Sequence, residues 1–226
     1  MTGVFAAVLC IAFVRLTTSD AFADAPAFKS QQFEKGTLIY SDEFDGEYNR
    51  ERWGAPKKSK QVKDGKLVVV AQFTSKEEAM KALKRDHHLG LEPVAHLNRI
   101  PEAFVCHMRY RFETDRLTAG RPVLQIGHHM IALNFLEGGG HRIKLPNGPS
   151  FTEPESGMKL GEWIDLVIEY RKGEITIGVN GCSRTYKNEA VSIINDRDNL
   201  GPRLTFKGGP NGRIVFDSVR LWKCDE

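Results

Sequence analysis

Nothing in this chain concentrates charge of one sign, and little in it serves covalent linkage. The formal net charge is only +3 over 226 residues. Lysines and arginines are interspersed with acids as on a solvated surface, and Lys57-Lys-Ser-Lys60 is the one dense basic cluster, so nucleic acid is not an expected partner. Of the four cysteines none stands at Cys-x-x-Cys spacing or beside histidines at ligand spacing, which argues against a structural zinc site. Long apolar stretches are missing too: Val4 to Val14 falls short of the ~20 residues that span a bilayer. There is no Gly-x-Ser-x-Gly, no phosphate-cradling glycine loop before a helix and no His-Glu-x-x-His, so the common nucleophile, nucleotide and metalloprotease frameworks are absent. Internal repeats and low-complexity tracts are absent as well.

The short apolar run fits a different purpose. With Ala21-Phe-Ala23 as a small-x-small cleavage pattern, residues 1–23 read as a signal peptide and 24–226 as a single exported domain, secreted or periplasmic. Its loss removes Arg15 and Asp20 together and leaves the charge unchanged. It also removes Cys10, and the odd remainder of Cys106, Cys182 and Cys224 leaves at least one free thiol.

What the chain does have is period-two patterning. Phe104, Cys106, Met108, Tyr110 and Phe112 alternate with Val105, His107, Arg109 and Arg111, the mark of a strand with one dry face. Ile164, Leu166, Ile168 and Tyr170 form a second such face, followed after a turn by Ile175, Ile177 and Val179. Asn180-Gly181 is a type I′ hairpin signal, since both central positions need positive φ. It opposes Val179 to Cys182, which predicts Cys182 pointing inward; pairing with Cys106 and separate buried thiols both satisfy the pattern.

Further strands are expected at Thr37–Phe44, Lys66–Phe73, His88–Leu91, Pro122–Ile126, His129–Leu136, Arg142–Leu145, Arg203–Lys207 and Ile214–Trp222. Gly138-Gly-Gly140 reads as a hairpin tip, and Phe151 to Gly161 as a loop. Ser75-Lys-Glu-Glu78 is a capping box for one short inserted helix whose stripe is Ala79, Met80 and Leu83. Many short, turn-punctuated strands predict an all-β sandwich of two antiparallel sheets.

With the strands placed, several phrases fall into a telling order: Ser41 to Gly46, Trp53, Asp64 to Leu67, Asp86-His-His-Leu-Gly90, Gly127-His128, Gly161-Glu-Trp163 and Phe216-Asp-Ser-Val219. In that order they resemble the 3-keto-disaccharide hydrolase domain family and its concanavalin A-like lectin and glucanase relatives. The resemblance implies a jelly-roll sandwich that handles sugars, its first and last strands side by side, with no catalytic residues carried over.

Several residues are candidates for chemistry. Glu43-Phe-Asp45-Gly-Glu47 superficially resembles the Glu-x-Asp-x-Glu pattern of glycoside hydrolase family 16, which makes Glu43 and Glu47 candidate catalytic carboxylates, about 5 Å apart if the mechanism is retaining. The competing reading puts Phe44 in the core, with Asp42 and Asp45 at the strand edge and turn. Glu43, the Gly65 backbone and Asp217 are a candidate structural calcium site, as in many such sandwiches. If neighbouring strands carry them, His88, His107 and His128, flanked by Arg109 and Asn134, form a face that hydrogen-bonds sugar hydroxyls. Trp53, Trp163 and Trp222 suit either sugar stacking or the core and its rim. The expected protein is a monomeric carbohydrate-binding sandwich, with a glycoside or keto-sugar hydrolase or lyase and a non-catalytic adhesion domain as alternatives.

Overall fold

The computed structural model describes residues 27–114, 116–118, 120–194 and 201–225; the segment read as a signal peptide lies outside them. Along the chain come β1 (Gly36–Asp42), the single turn α1 (Arg50–Trp53), β2 (Lys60–Lys63), β3 (Lys66–Val70) and α2 (Lys76–Leu83). β4 (Val94–Leu97), β5 (Phe104–Glu113), β6 (Val123–Ile126), β7 (Ile131–Phe135), β8 (His141–Lys144) and β9 (Ser150–Glu153) follow. The last are β10 (Ile164–Arg171), β11 (Glu174–Val179), β12 (Cys182–Lys187), β13 (Leu204–Lys207) and β14 (Arg213–Cys224).

These strands form two antiparallel sheets. One is eight-stranded, in the order β12-β11-β10-β5-β14-β3-β2 with β1 also on β14; the other is six-stranded, β4-β13-β6-β7-β8-β9. β14 is the spine of the larger sheet. It pairs with β5 on one side, while on the other β3 takes Arg213–Phe216 and β1 takes Val219–Cys224. Asp42 therefore opposes Val219, and the opening and closing phrases of the sequence lie side by side.

Alternation along each strand builds the core between the sheets. Phe104, Cys106, Met108, Tyr110 and Phe112 from β5 meet Leu124, Ile126, Leu133, Leu204 and Phe206 of the smaller sheet, all buried. Tyr110 and Phe216 contact Phe206 across the layers at ring distances of 5.2 and 4.8 Å. Each fully buried Leu, Ile or Phe contributes roughly 1.5–3 kcal/mol, so this face alone specifies which side of each strand turns inward. A second cluster, Phe33, Ala103, Val105, Trp222 and Cys224, lies on the outer side of the larger sheet. There residues 28–33 cross the sheet as a strap, and the buried Glu169 carboxylate accepts from Ser30 Oγ at 2.6 Å and from the backbone N–H of Gln31 and Gln32 at 2.9 and 2.8 Å.

Local signals account for the turns. Asn180 and Gly181 have φ of 50° and 87°, as the I′ hairpin requires, and the Asn180 side chain accepts from Asp165 N–H at 2.9 Å. Ser75 caps α2 by accepting from Glu78 N–H, and the Glu78 carboxylate reaches back to Thr74 N–H at 3.0 Å.

The structure also corrects the sequence reading in places. His88–Leu91 is not a strand, because His88 and Gly90 have φ of 49° and 71°; the strand starts instead at Val94. Ser150–Glu153, which overlaps the stretch expected to be loop from Phe151 onward, pairs with β8. Of the helix stripe, Ala79 is buried but Met80 is 42% exposed. Cys182 opposes Val179 as predicted yet is exposed, since β12 is the edge of its sheet. Among the described residues Cys106, Cys182 and Cys224 are free thiols.

Candidate functional site: the outward face of the six-stranded sheet

Period two puts every second residue of the smaller sheet on its outer side. Strand register aligns these into two rows. One runs His96, Thr205, Gln125, Ala132, Lys144; the other runs Val94, Lys207, Val123, Asn134, Arg142. A groove of about 840 Å³ lies on the first row, floored by Gln125, Ala132 and Lys144 and walled by His129, Met130, Ile194 and the Leu145–Gly148 loop. The Gln125 side-chain oxygen is buried with no hydrogen-bond partner among the described residues. A buried acceptor without a donor is costly, so this floor is complementary to a hydroxyl or amide N–H supplied from the groove.

Glycine shapes one wall. Gly127 has φ of 75°, and a Cβ there would lie 2.4 Å from the Ile193 carbonyl oxygen, so only glycine lets segment 191–194 approach the turn after β6. The turn continues with His128 and His129, whose rings are 4.1 Å apart. His129 lines the groove, and half-buried His128 lies close enough to His96 to act on its charge.

The charged groups that act on His96 are all cationic. His96 Nδ1 pairs with Thr205 Oγ1 at 3.0 Å. Burial first, then the charges of Arg203, Lys60, Lys207 and His128, pull its pKa down to about 4, so the imidazole is neutral at pH 7. Lys207 is also held below the usual lysine range, by burial and then by Arg121. Arg121 is bonded to Glu92 at 2.9 Å.

The structure divides the residues singled out in the sequence between opposite sides of the sandwich. Asn134 and His128 belong to the six-stranded sheet and its turn. His107 and Arg109 point outward from β5 on the eight-stranded sheet, so the five residues do not form a common face. His107 lies against Trp222 at 4.9 Å, and its pKa is lowered, by burial first. Arg109 lies between Asp165 at 3.6 Å and Asp217 at 3.5 Å, below Trp163, whose ring centre is 4.5 Å from the Arg111 guanidinium and 5.5 Å from that of Arg109. His88 is exposed in the loop after α2. Trp53 and Trp222 are buried.

Glu43 and Glu47 are exposed in the turn after β1, where Glu43 accepts from Arg220, while Phe44 is buried. They are far in topology from the groove, being on the other sheet's edge. The residues proposed for calcium do not fit one. Asp217 binds Lys66 Nζ at 2.5 Å and Arg109 Nε at 3.5 Å, so cationic side chains already occupy its carboxylate, and the Glu43 carboxylate is taken by Arg220. Among the described residues no group of three His, Cys, Asp or Glu is placed to hold a metal ion. No helix among them is long and apolar enough to cross a membrane.

The residues of this face carry a signal that belongs to no motif. Gln125 and Lys144 in the groove, and His96 and Lys207 beside it, all stand at the polar positions of period-two strands, a pattern that marks them as outward but not as functional.

No protein-family model and no curated protein sequence matches the chain. Solved structures do. The catalytic domain of an endo-1,3-beta-glucanase (laminarinase) from Thermotoga petrophila superposes with a TM-score of 0.53 at 13% identity, over 85% of this chain and 99% of the other. A structure reported for endo-acting O-glycanases of human gut microbiota, which initiate mucin breakdown, gives 0.52 at 15% identity, covering 84% and 100%. The Emp47p carbohydrate recognition domain gives 0.51 at 10% identity, covering 84% and 98%. At such identities the likeness is one of architecture, and it agrees with the layers and registers above: the chain has the concanavalin A-like sandwich fold of the family 16 glucanases and related carbohydrate-recognition domains.

Proposed function

We propose that the protein is an exported carbohydrate-binding sandwich that holds a glycan on the outward face of the six-stranded sheet. The observation that carries this reading is the groove over β6, β7 and β8, whose floor presents Lys144 and Gln125 with its unpartnered buried acceptor, while Asn134 stands in the neighbouring row of the same outward face. Amide and ammonium groups fixed on a rigid sheet are suited to sugar hydroxyls, because the strands hold them in place before the ligand arrives. The shared fold of a carbohydrate recognition domain and a glucanase catalytic domain supports the same class of ligand.

Binding is favoured over hydrolysis by the residues on that face. Retaining glycosidases need two carboxyls about 5 Å apart and inverting ones a somewhat wider pair. The outward strand positions of this sheet carry no Asp or Glu.

Affinity gel electrophoresis against a glycan panel tests the reading. Gln125→Ala and Asn134→Ala are expected to weaken retention about tenfold each, the usual scale for losing a hydrogen bond to a bound ligand. His107→Ala and Arg109→Ala, on the other sheet, are expected to leave it unchanged. Retention insensitive to the first pair, or turnover of β-glucans or 3-keto-disaccharides that survives both, refutes the binding face.

A further inference from the structure

We infer that Asn147 is a modification site: its side-chain amide is lost through attack by the backbone nitrogen of Gly148, which puts an aspartate or isoaspartate into the wall of the groove. The chemistry stands on the loop alone, and its effect on glycan retention rests on the binding face proposed above.

Three Asn-Gly pairs occur in the chain, at 147–148, 180–181 and 211–212. All three asparagines are exposed, with φ of 50°, 50° and 57°. A glycine has no Cβ to shield its nitrogen from the preceding side chain, so the sequence ranks the three alike. The fold separates them. Asn180 has its amide held at both ends: Oδ1 accepts from Asp165 N–H at 2.9 Å, and Nδ2 donates to the Gly157 carbonyl at 3.3 Å. Its Cγ cannot turn toward Gly181 until both bonds break. The Asn147 side chain makes no hydrogen bond among the described residues.

The turn that holds Asn147 is also loosely closed. Leu145-Pro-Asn-Gly148 has the sequence and the positive φ of a type II turn, with Asn147 at its third position. The closing bond, from Gly148 N–H to the Leu145 carbonyl, is 3.4 Å, longer than the usual range. The turn joins β8 to β9, a four-residue strand at the edge of its sheet, so local opening costs little. Gly209-Pro-Asn-Gly212 repeats the turn with a closing bond of 3.2 Å, and Asn211 is not among the residues lining the groove.

In the open turn Gly148 N gives its proton to hydroxide and bonds to Asn147 Cγ. The Cγ–Nδ2 bond breaks, and Nδ2 takes a proton from water and leaves as ammonia. Water then opens the cyclic imide: attack at Cγ gives aspartate, and attack at the main-chain carbonyl gives isoaspartate, whose chain runs through the side-chain carbon. Either product adds a carboxylate where Asn147 and Gly148 line the groove together with Lys144. The new charge competes with a ligand for that ammonium, and isoaspartate lengthens the wall by one backbone atom. The groove thus becomes less receptive as the protein ages.

The test incubates the full chain in warm, mildly alkaline buffer. Trypsin then releases the three pairs in separate peptides, 145–159, 173–184 and 208–213. Conversion of Asn147, read by mass and by isoaspartyl methyl acceptance, is expected to run about tenfold faster than that of Asn180, the scale set by the hydrogen bonds that hold Asn180. In urea the two rates should converge, because the fold and not the sequence sets them apart. Retention in the glycan gel that best holds the fresh protein is expected to fall about fivefold on full conversion, the scale of one lost hydrogen bond. In Asn147→Gly, where glycine suits the positive φ, retention should stay constant over the same incubation, whatever its starting value. Asn147 converting no faster than Asn180 in the folded protein overturns the assignment. Full conversion with unchanged retention overturns the effect on the groove. If no glycan gel holds the fresh protein, the binding face itself is refuted, while the peptide rates still decide the modification.

Discussion

Tyr40→Phe is the perturbation whose effect follows most directly from the coordinates. Trp53, 1% exposed, donates its indole N–H to Tyr40 Oη at 2.7 Å, and Tyr40 donates in turn to Asp42 Oδ2 at 2.6 Å. Burial, reinforced by the hydrogen bond to Asp42, raises the Tyr40 pKa far above its ordinary value, so the phenol remains a donor throughout the working pH range. Removing the hydroxyl strands a buried indole N–H, at about 1–3 kcal/mol, and discards a charge-assisted bond to Asp42. A net loss of roughly 2–4 kcal/mol is expected, or about 5–10 °C in Tm for a domain of this size. Trp53→Phe loses the N–H and part of the ring that packs at 4.9 Å on Phe216, at about 2–3 kcal/mol. In the double variant donor and acceptor vanish together. Its cost should therefore fall short of the sum by about 1–2 kcal/mol. Urea denaturation of the four proteins measures this. Single-variant losses that add to within ~0.5 kcal/mol refute the coupling, and with it the chain of hydrogen bonds from Trp53 through Tyr40 to Asp42 as a source of stability.

Two further outcomes are expected. Glu169→Ala removes the acceptor shared by Ser30, Gln31 and Gln32, so residues 28–33 should detach locally, uncovering Trp222; faster tryptic cleavage at Lys29 and a red-shifted tryptophan emission report it, and unaltered protection of Lys29 contradicts it. For His96 the folded pKa of about 4 lies below the ordinary ~6.5, so the unfolded chain takes up a proton that the folded one refuses. The resulting stability is full above pH 6.5 and is lost as pH falls toward 4, by roughly 2–3 kcal/mol. His96→Asn should flatten this acid limb, the facing groups Arg203, Lys60, Lys207, His128 and Thr205 being unchanged; parallel acid limbs for the two proteins rule the assignment out.

The sandwich was legible because burial imposes a period that residues such as Phe104 to Phe112 cannot hide, and because Asn180-Gly181 has few other conformations open to it. The site was legible only in fragments. His107 and His128 read alike in the sequence, as polar residues at strand positions, but whether two strands share a sheet is a long-range fact: β5 pairs with β10 and β14, while β6 pairs with β13 and β7. Asp217 likewise read as an oxygen donor in need of a cation. The side chain that meets it, Lys66, is 151 residues away along the chain, and no local rule joins them. Glu43 and Glu47 illustrate the converse, where a pattern of letters matched but Phe44, with φ of 56°, turns the backbone out of the strand between them.

Close to the two described ends, Phe28 and Cys224 both pack on the outer side of the eight-stranded layer, and the groove opens on the opposite side of the molecule. A bead, a fusion partner or another module joined at Phe28 or Cys224 would therefore moor the protein by its back. Several copies fixed to one support would all turn their grooves to the medium, a favourable arrangement for engaging a long polysaccharide at many points at once.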